Sequence, residues 1–296
     1  MAAKTPQDAF AAYADEPLSP AAAAATGKEG ELRLTFAATG GETALVRDYA
    51  TVPFHLTGGL THDEALPEVE TVYVQSPTGA IAQGDRHDIA VTVEQDAMAH
   101  VTTQSATKVH SMARNYGRVD VDLTVESGGY LEYLPEPAIL HADARYRQET
   151  RLTLGTDAAA VVGEVLVPGR LAREEAFEFE RAYTRLRATG PDGLLFEDAQ
   201  DLHPAERDPR RPGVLGDNDV LGTLYVLGDP SLSDALHERA ANAGAARAGA
   251  SALPNDAGVL VRALGTRAAV STAVDAAWDE ARQALVGAGR PARRKD

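Results

Sequence analysis

The sequence has no cysteine. Disulfides, thiolate zinc sites, iron–sulfur clusters and cysteine nucleophiles are therefore excluded, and any metal contact must come from His, Asp, Glu or the backbone. Lysine is nearly absent: Lys4, Lys28, Lys108 and Lys295 are the only four, and the other 24 of the 28 basic residues are arginine. Against 44 acidic residues the formal net charge is −16, so the chain is not built to bind nucleic acid by neutralising phosphates. An acidic, lysine-poor, alanine-rich surface fits a high-salt habitat, where screening makes self-repulsion tolerable. An acidic protein from a GC-rich genome would have the same composition. Aromatics make up 5% of the chain, with a single Trp, too few to line a sugar-binding cleft.

Long apolar runs are also missing. No stretch of 18 suits a membrane-crossing helix. Met1 to Thr26 lacks the basic start and apolar core of a signal peptide, so the expected location is cytoplasmic. There is no G-x-x-x-x-G-K-[ST] loop to cradle phosphates, no G-x-S-x-G elbow, and no H-E-x-x-H or H-x-H pair. The eight His residues are scattered, whereas a closed metal site needs several ligands converging on one point.

What is present is a strand pattern. With 44% hydrophobic residues, the 296-residue chain can bury a sizeable core. Val119, Val121, Leu123 and Val125 alternate with Asp120, Asp122, Thr124 and Glu126, the mark of a half-buried strand, and Gly128-Gly129 turns the chain after it. Similar patterns recur every 10 to 15 residues with no long helices between; segments 148–154, 158–167, 176–187, 193–198 and 220–227 are examples. This predicts a mainly β fold, one large antiparallel β-structure. Helices are expected only late. One covers 231–245, capped by Ser231 or Ser233, and one covers 267–286, with Thr266 as N-cap and Gly287 as C-cap. The predicted organisation is a disordered lead-in over 1–28, one β-rich domain with C-terminal helices over 29–290, and a tail over 291–296.

Three features carry possible chemistry. Ser105 and Lys108 fit S-x-x-K, but the accompanying S-D-N and K-T-G elements are absent. Carboxylate pairs such as Glu174-Glu175 or Glu178 with Glu180 suit acid–base work. Among 44 acids they arise by chance and read as a solvated face. Glu164 is different, being the only charge in Ala158–Val167. An isolated carboxylate on a buried strand must find a partner or face internal water. The first option names Arg145 or Arg170 as its partner; the second makes Glu164 the lining of an internal route.

The polar run Thr102-Thr103-Gln104-Ser105-Ala106-Thr107-Lys108-Val109, preceded by Gly84-Asp85 and an alternating strand, resembles the signature of the urease accessory protein UreD (UreH) family. Tyr133 to Ile139 resembles its Y-L-P-x-P-x-I segment. Ala144 to Gln148 follows at the matching distance, and Glu164 to Arg173 resembles its E-x-x-x-x-G-R-x-A-R element. His110 and Ser111 depart from the pattern, standing where the family often has an aromatic and an Arg. The resemblance implies a mainly β protein with two C-terminal helices and no catalysis of its own. It implies a complex with apo-urease, a second accessory protein and a partner GTPase, and the transient passage of Ni2+ without a tightly bound cofactor. Under it, Asp85, Thr102, Thr103, Gln104, Lys108, Arg145, Arg170 and Arg173 form a partner-contact or structural polar cluster, with Glu164 and His141 as candidate metal-transit residues. The competing reading from another class is a β-sandwich carbohydrate-active enzyme using paired carboxylates.

Overall fold

The structure is a computed structural model that describes residues 6–18, 29–61, 63–77 and 79–291. Among them are eighteen strands: β1 Glu29–Thr39, β2 Glu42–Ala50, β3 His55–Leu60, β4 Glu70–Gln75, β5 Ala80–Ile81, β6 Arg86–Val93, β7 Met98–Thr103, β8 Thr107–Val109, β9 Gly117–Val125, β10 Tyr130–Tyr133, β11 Ala138–Leu140, β12 Arg145–Leu154, β13 Ala159–Val167, β14 Arg181–Gly190, β15 Gly193–Leu202, β16 Val220–Leu227, β17 Arg247–Ala252 and β18 Gly258–Gly265. Three α-helices accompany them: α1 Pro6–Ala14, α2 Ser233–Asn242 and α3 Arg267–Val286.

The strands form two facing sheets. The first runs β15-β14-β12-β9-β6-β1-β2. The second runs β17-β18-β16-β13-β10-β7-β4-β3, with the short β5, β8 and β11 forming a side branch from β13. The sheets are mixed, which corrects the antiparallel expectation. β1, β6, β9, β12 and β14 are mutually parallel, as are β4, β7, β10 and β13. The cause lies in the turns. The links after β6, β9 and β12 send the chain across to the opposite sheet instead of back beside itself, so successive strands stack as solenoid-like coils. A two-residue hairpin would have paired them antiparallel. Alternating sequence reports which face of a strand is buried and carries no record of its neighbour's direction.

The main core fills the space between the sheets, with Leu32, Leu34, Phe36, Val91, Val121, Leu123, Leu131, Leu152 and Leu227 among its buried members. A second core lies on the outer face of the second sheet. There Val161, Leu224, Val226, Val259 and Val261 pack beneath Leu236, Ala277, Trp278 and Ala281 of α2 and α3. Helix α3 has the expected bounds and caps: Thr266 Oγ1 accepts the Ala269 N–H at 3.3 Å, and Gly287 takes the left-handed conformation at φ 71°. The earlier helix starts differently. Asp229 caps a 3-10 turn over Pro230–Leu232, and α2 follows with no side-chain cap of its own.

The lead-in is also corrected where it is described. Residues 6–14 form α1, and Phe10 is buried against Tyr116 and Tyr183, at ring distances of 5.0 and 6.4 Å. Beyond the helix, the Glu16 carboxylate accepts from the Asn115 N–H at 2.8 Å and from Arg145 at 2.7 Å. One aromatic and one acid thus dock a segment whose low hydrophobic periodicity suggested no structure. Residues 19–28 and 292–296 of the expected lead-in and tail lie outside the described residues.

Candidate functional site

The second sheet is interrupted part-way along its strands. β10 ends at Tyr133 and β11 begins at Ala138; β7 ends at Thr103 and β8 begins at Thr107. β13 runs past both breaks, pairing with β10 through Ala159–Val162 and with β11 through Leu166–Val167. Leu134-Pro135-Glu136-Pro137 spans the gap. Two prolines lack the N–H that a ladder needs, so the parallel pairing must lapse there. Opposite the lapse, β13 presents Gly163, Glu164 and Val165. Gly163 sits against Leu134, where a Cβ would meet Leu134 Cδ2 at 2.8 Å.

Two cavities meet at this gap. One, of about 100 Å³, lies between the sheets and is lined by Leu32, Ile89, Val119, Tyr146 and Gln148 on the far wall. The other, of about 360 Å³, lies between the second sheet and α3, where Tyr73, His100, Ser271, Asp275 and Trp278 line it. Both are lined by Thr102, Thr103, Pro135, Glu136, Glu164 and Val165. Glu164 is therefore a wall of both spaces.

Glu164 has neither of the arginine partners considered for it. Burial pushes its carboxyl up to about 7; a hydrogen bond with Thr184 and the charge of Arg262 pull the other way, while Asp198 adds to the rise. Arg145 is instead committed to Glu180 at 2.6 Å and Glu16 at 2.7 Å, with Tyr13 stacked under its guanidinium at 4.4 Å. Arg170 pairs with Glu175, whose carboxylate also accepts the Ala142 N–H at 2.9 Å. A polar group continues beyond Glu164 towards the β15 edge: Tyr225 donates to Asp198 at 2.7 Å, and Arg262 reaches the same oxygen at 2.5 Å.

Of the polar cluster expected from the sequence, part gathers at the gap. Thr102 Oγ1 donates to the Leu134 carbonyl at 2.6 Å, and Thr103 Oγ1 accepts the Glu136 N–H at 2.9 Å, so the two threonines pin the proline segment. Gln104 lines the larger cavity. Asp85 lies elsewhere, closing a turn by accepting the Ala82 N–H at 2.8 Å. Lys108 is exposed on β8, away from the two threonines. Arg173 is exposed on the 3-10 turn Leu171–Arg173. His141 stands outside both cavity linings, beside His110. Of the carboxylates offered as acid–base pairs, one of each is committed to an ion pair: Glu175 serves Arg170 and Glu180 serves Arg145.

The strongest polar assembly escaped the sequence reading. Glu132 and Arg282 are both fully buried. Glu132 accepts from Tyr130 at 2.7 Å and Trp278 Nε1 at 3.0 Å, and contacts His100 Nδ1 at 2.7 Å. Arg282 Nε lies 2.9 Å from Glu132 Oε1, and its Nη2 bonds Asp63. Burial raises the Glu132 pKa, but the His100 contact and the Arg282 charge outweigh it and leave the carboxyl below its ordinary range. The imidazole of His100 stacks on Trp278 at 5.5 Å. His100 and Trp278 line the larger cavity, and the network fixes α3 to the sheet. The available signal was Glu132 itself, a lone acid within the apolar run Tyr130–Leu134.

A family model described as UreD urease accessory protein matches residues 28–296. The chain belongs to the UreD family. It is 56% identical to the urease accessory protein UreD of Haloarcula marismortui, over all of both chains. It is 48% identical to that of Natronomonas pharaonis, over 97% of this chain and 98% of the relative. Bacterial members match as well: the UreD of Photorhabdus laumondii is 34% identical over 95% of this chain and 90% of its own. UreD membership is consistent with a role in urease maturation. Among the described residues, no helix is long and apolar enough to cross a membrane.

Proposed function

We propose that this chain is a cytoplasmic scaffold of urease maturation that gives nickel a polar passage across its second sheet. In this reading it binds apo-urease, a second accessory protein and a partner GTPase, and holds no cofactor tightly. One observation carries the passage: Glu164 forms a wall of two adjoining cavities, while Arg145 and Arg170 are both paired elsewhere. A carboxylate beside threonine hydroxyls and backbone carbonyls supplies the weak oxygen donors that let a divalent ion move on, whereas a closed thiolate or imidazole site would trap it. The acidic composition fits the haloarchaeal relatives. The paired-carboxylate enzyme reading finds little support, since one member of each pair, Glu175 and Glu180, is spent on a structural ion pair. The test is co-expression with apo-urease and the accessory partners. The chain should co-purify with them, and urease made without it should lack nickel; fully nickel-loaded urease in its absence would reject the proposal.

A further inference from the structure

Two short parallel strands are each followed by an imidazole, side by side. β8 and β11 pair with Val109 opposite Leu140. The next residue of each strand is a histidine, so His110 and His141 stand in register. Their backbones are held: the His110 N–H donates to Ile81 O and the His141 N–H to Val109 O, both at 2.9 Å. Val109 and Leu140, immediately before them, are fully buried and anchor the strand ends. The ring centroids lie 5.0 Å apart with planes inclined at 38°. Neighbouring strands are spaced at about 4.8 Å, so the backbone sets this separation.

The spacing suits chelation. With a metal–nitrogen bond of about 2.0–2.1 Å and the ring centre about 1.2 Å behind the nitrogen, each centroid lies about 3.2 Å from a bound ion. Two such arms whose ends are 5.0 Å apart subtend roughly 100° at the ion, between the cis-octahedral and tetrahedral angles. The protonation state agrees. Burial lowers the His141 pKa, as do the charges of His110, Arg170 and Lys108, against a smaller opposite pull from Glu175. Neutral imidazole is the form that binds metal.

We propose that His110 and His141 form a two-imidazole site for a borderline divalent cation of the Ni2+, Cu2+ and Zn2+ class. Water, or a donor from outside the chain, completes the coordination. Among the described residues no group of three or more His, Cys, Asp or Glu side chains is arranged to hold a metal, so the protein contributes two arms only. Lys108 precedes His110 by two residues on the same exposed face of β8 and opposes a bound cation. Arg170 is largely offset by Glu175. A two-arm site beside an ammonium binds weakly and releases readily, which suits capture and hand-over rather than storage. The site is separate from the Glu164 gap, since neither histidine lines either cavity.

The experiment is calorimetric titration of Ni2+ and of Cu2+ into the untagged full chain, at the lowest salt that keeps it folded. The wild type should bind one equivalent saturably, Cu2+ more tightly than Ni2+. His110→Ala and His141→Ala should each weaken binding at least tenfold. Lys108→Gln should tighten it two- to threefold, an effect that fades as salt is added. His55→Ala, at an exposed histidine outside the pair, should leave it unchanged. Cu2+ electron paramagnetic resonance should show two nitrogen couplings in the wild type and one in each single variant. His110→Gln serves if the alanine variant does not fold. Wild-type affinity in the His110→Ala/His141→Ala double variant, or no saturable binding by the wild type, would overturn the proposal.

Discussion

Arg282 of α3 and Glu132 of β10 meet 2.9 Å apart with both side chains fully buried. Tyr130 and Trp278 donate to the same carboxylate, His100 contacts it and Asp63 takes the far end of the guanidinium. An ion pair taken wholly out of water is not in itself stabilising, but removing one member strands the other. Arg282→Ala should therefore cost about 3–5 kcal/mol, and Glu132→Ala a similar amount. Denaturant unfolding of each variant checks this. A loss under about 1 kcal/mol would mean that the pair is solvated in the folded protein.

Glu164 makes stability depend on pH in an unusual direction. Its folded pKa, about 7, lies above its ordinary value of 4.5. The folded chain thus holds a proton that the unfolded chain has released, and this contribution weakens as pH rises from about 4.5 to about 7. The loss is at most roughly 3 kcal/mol, less because the half-buried carboxylate faces a cavity. Glu164→Gln should remove this slope and leave the protein relatively more stable at pH 8 than at pH 5. Parallel pH–stability curves for wild type and variant would show that Glu164 is ionised in the folded state throughout.

The N-terminal helix should behave as a docked part of the fold. Phe10→Ala leaves a hole between Tyr116 and Tyr183. A fully buried Phe→Ala change costs about 3–5 kcal/mol, an upper bound here because α1 can detach while the sheets remain intact. Limited proteolysis should cut the variant within its first 28 residues well before the wild type. Identical digestion would show that α1 does not stay docked in solution.

Lys108 is exposed, with an ordinary β-strand environment. Lys108→Ala should shift stability by no more than about 0.5 kcal/mol, measured by thermal unfolding. A larger loss would show that the ammonium is buried and bonded in the folded protein.

Most of the strands and all of α3 were legible because alternation and helical periodicity report burial, and burial decides those elements. Strand direction was not legible, since it depends on whether a turn returns the chain to the same sheet or sends it to the other. The short strand β17, Arg-Ala-Gly-Ala-Ser-Ala, carries too little apolar contrast to stand out. At the site, Glu164 was legible as a lone acid on an apolar strand. The same argument, applied to Glu132, would have found the buried network one strand away. The consequence of Pro135 and Pro137 was not legible: a proline break opens a gap in a sheet only when a neighbouring strand runs past it, and that is a fact of topology.

The proposed passage puts Glu164 on the path nickel takes to urease. Its most direct test is nickel-dependent activation of apo-urease, reconstituted with the accessory partners and either wild-type chain or Glu164→Gln at equal concentration. The account predicts that the variant folds and co-purifies with its partners, activates urease several-fold less at limiting nickel, and recovers when nickel is in excess. Equal activation at every nickel concentration would contradict it.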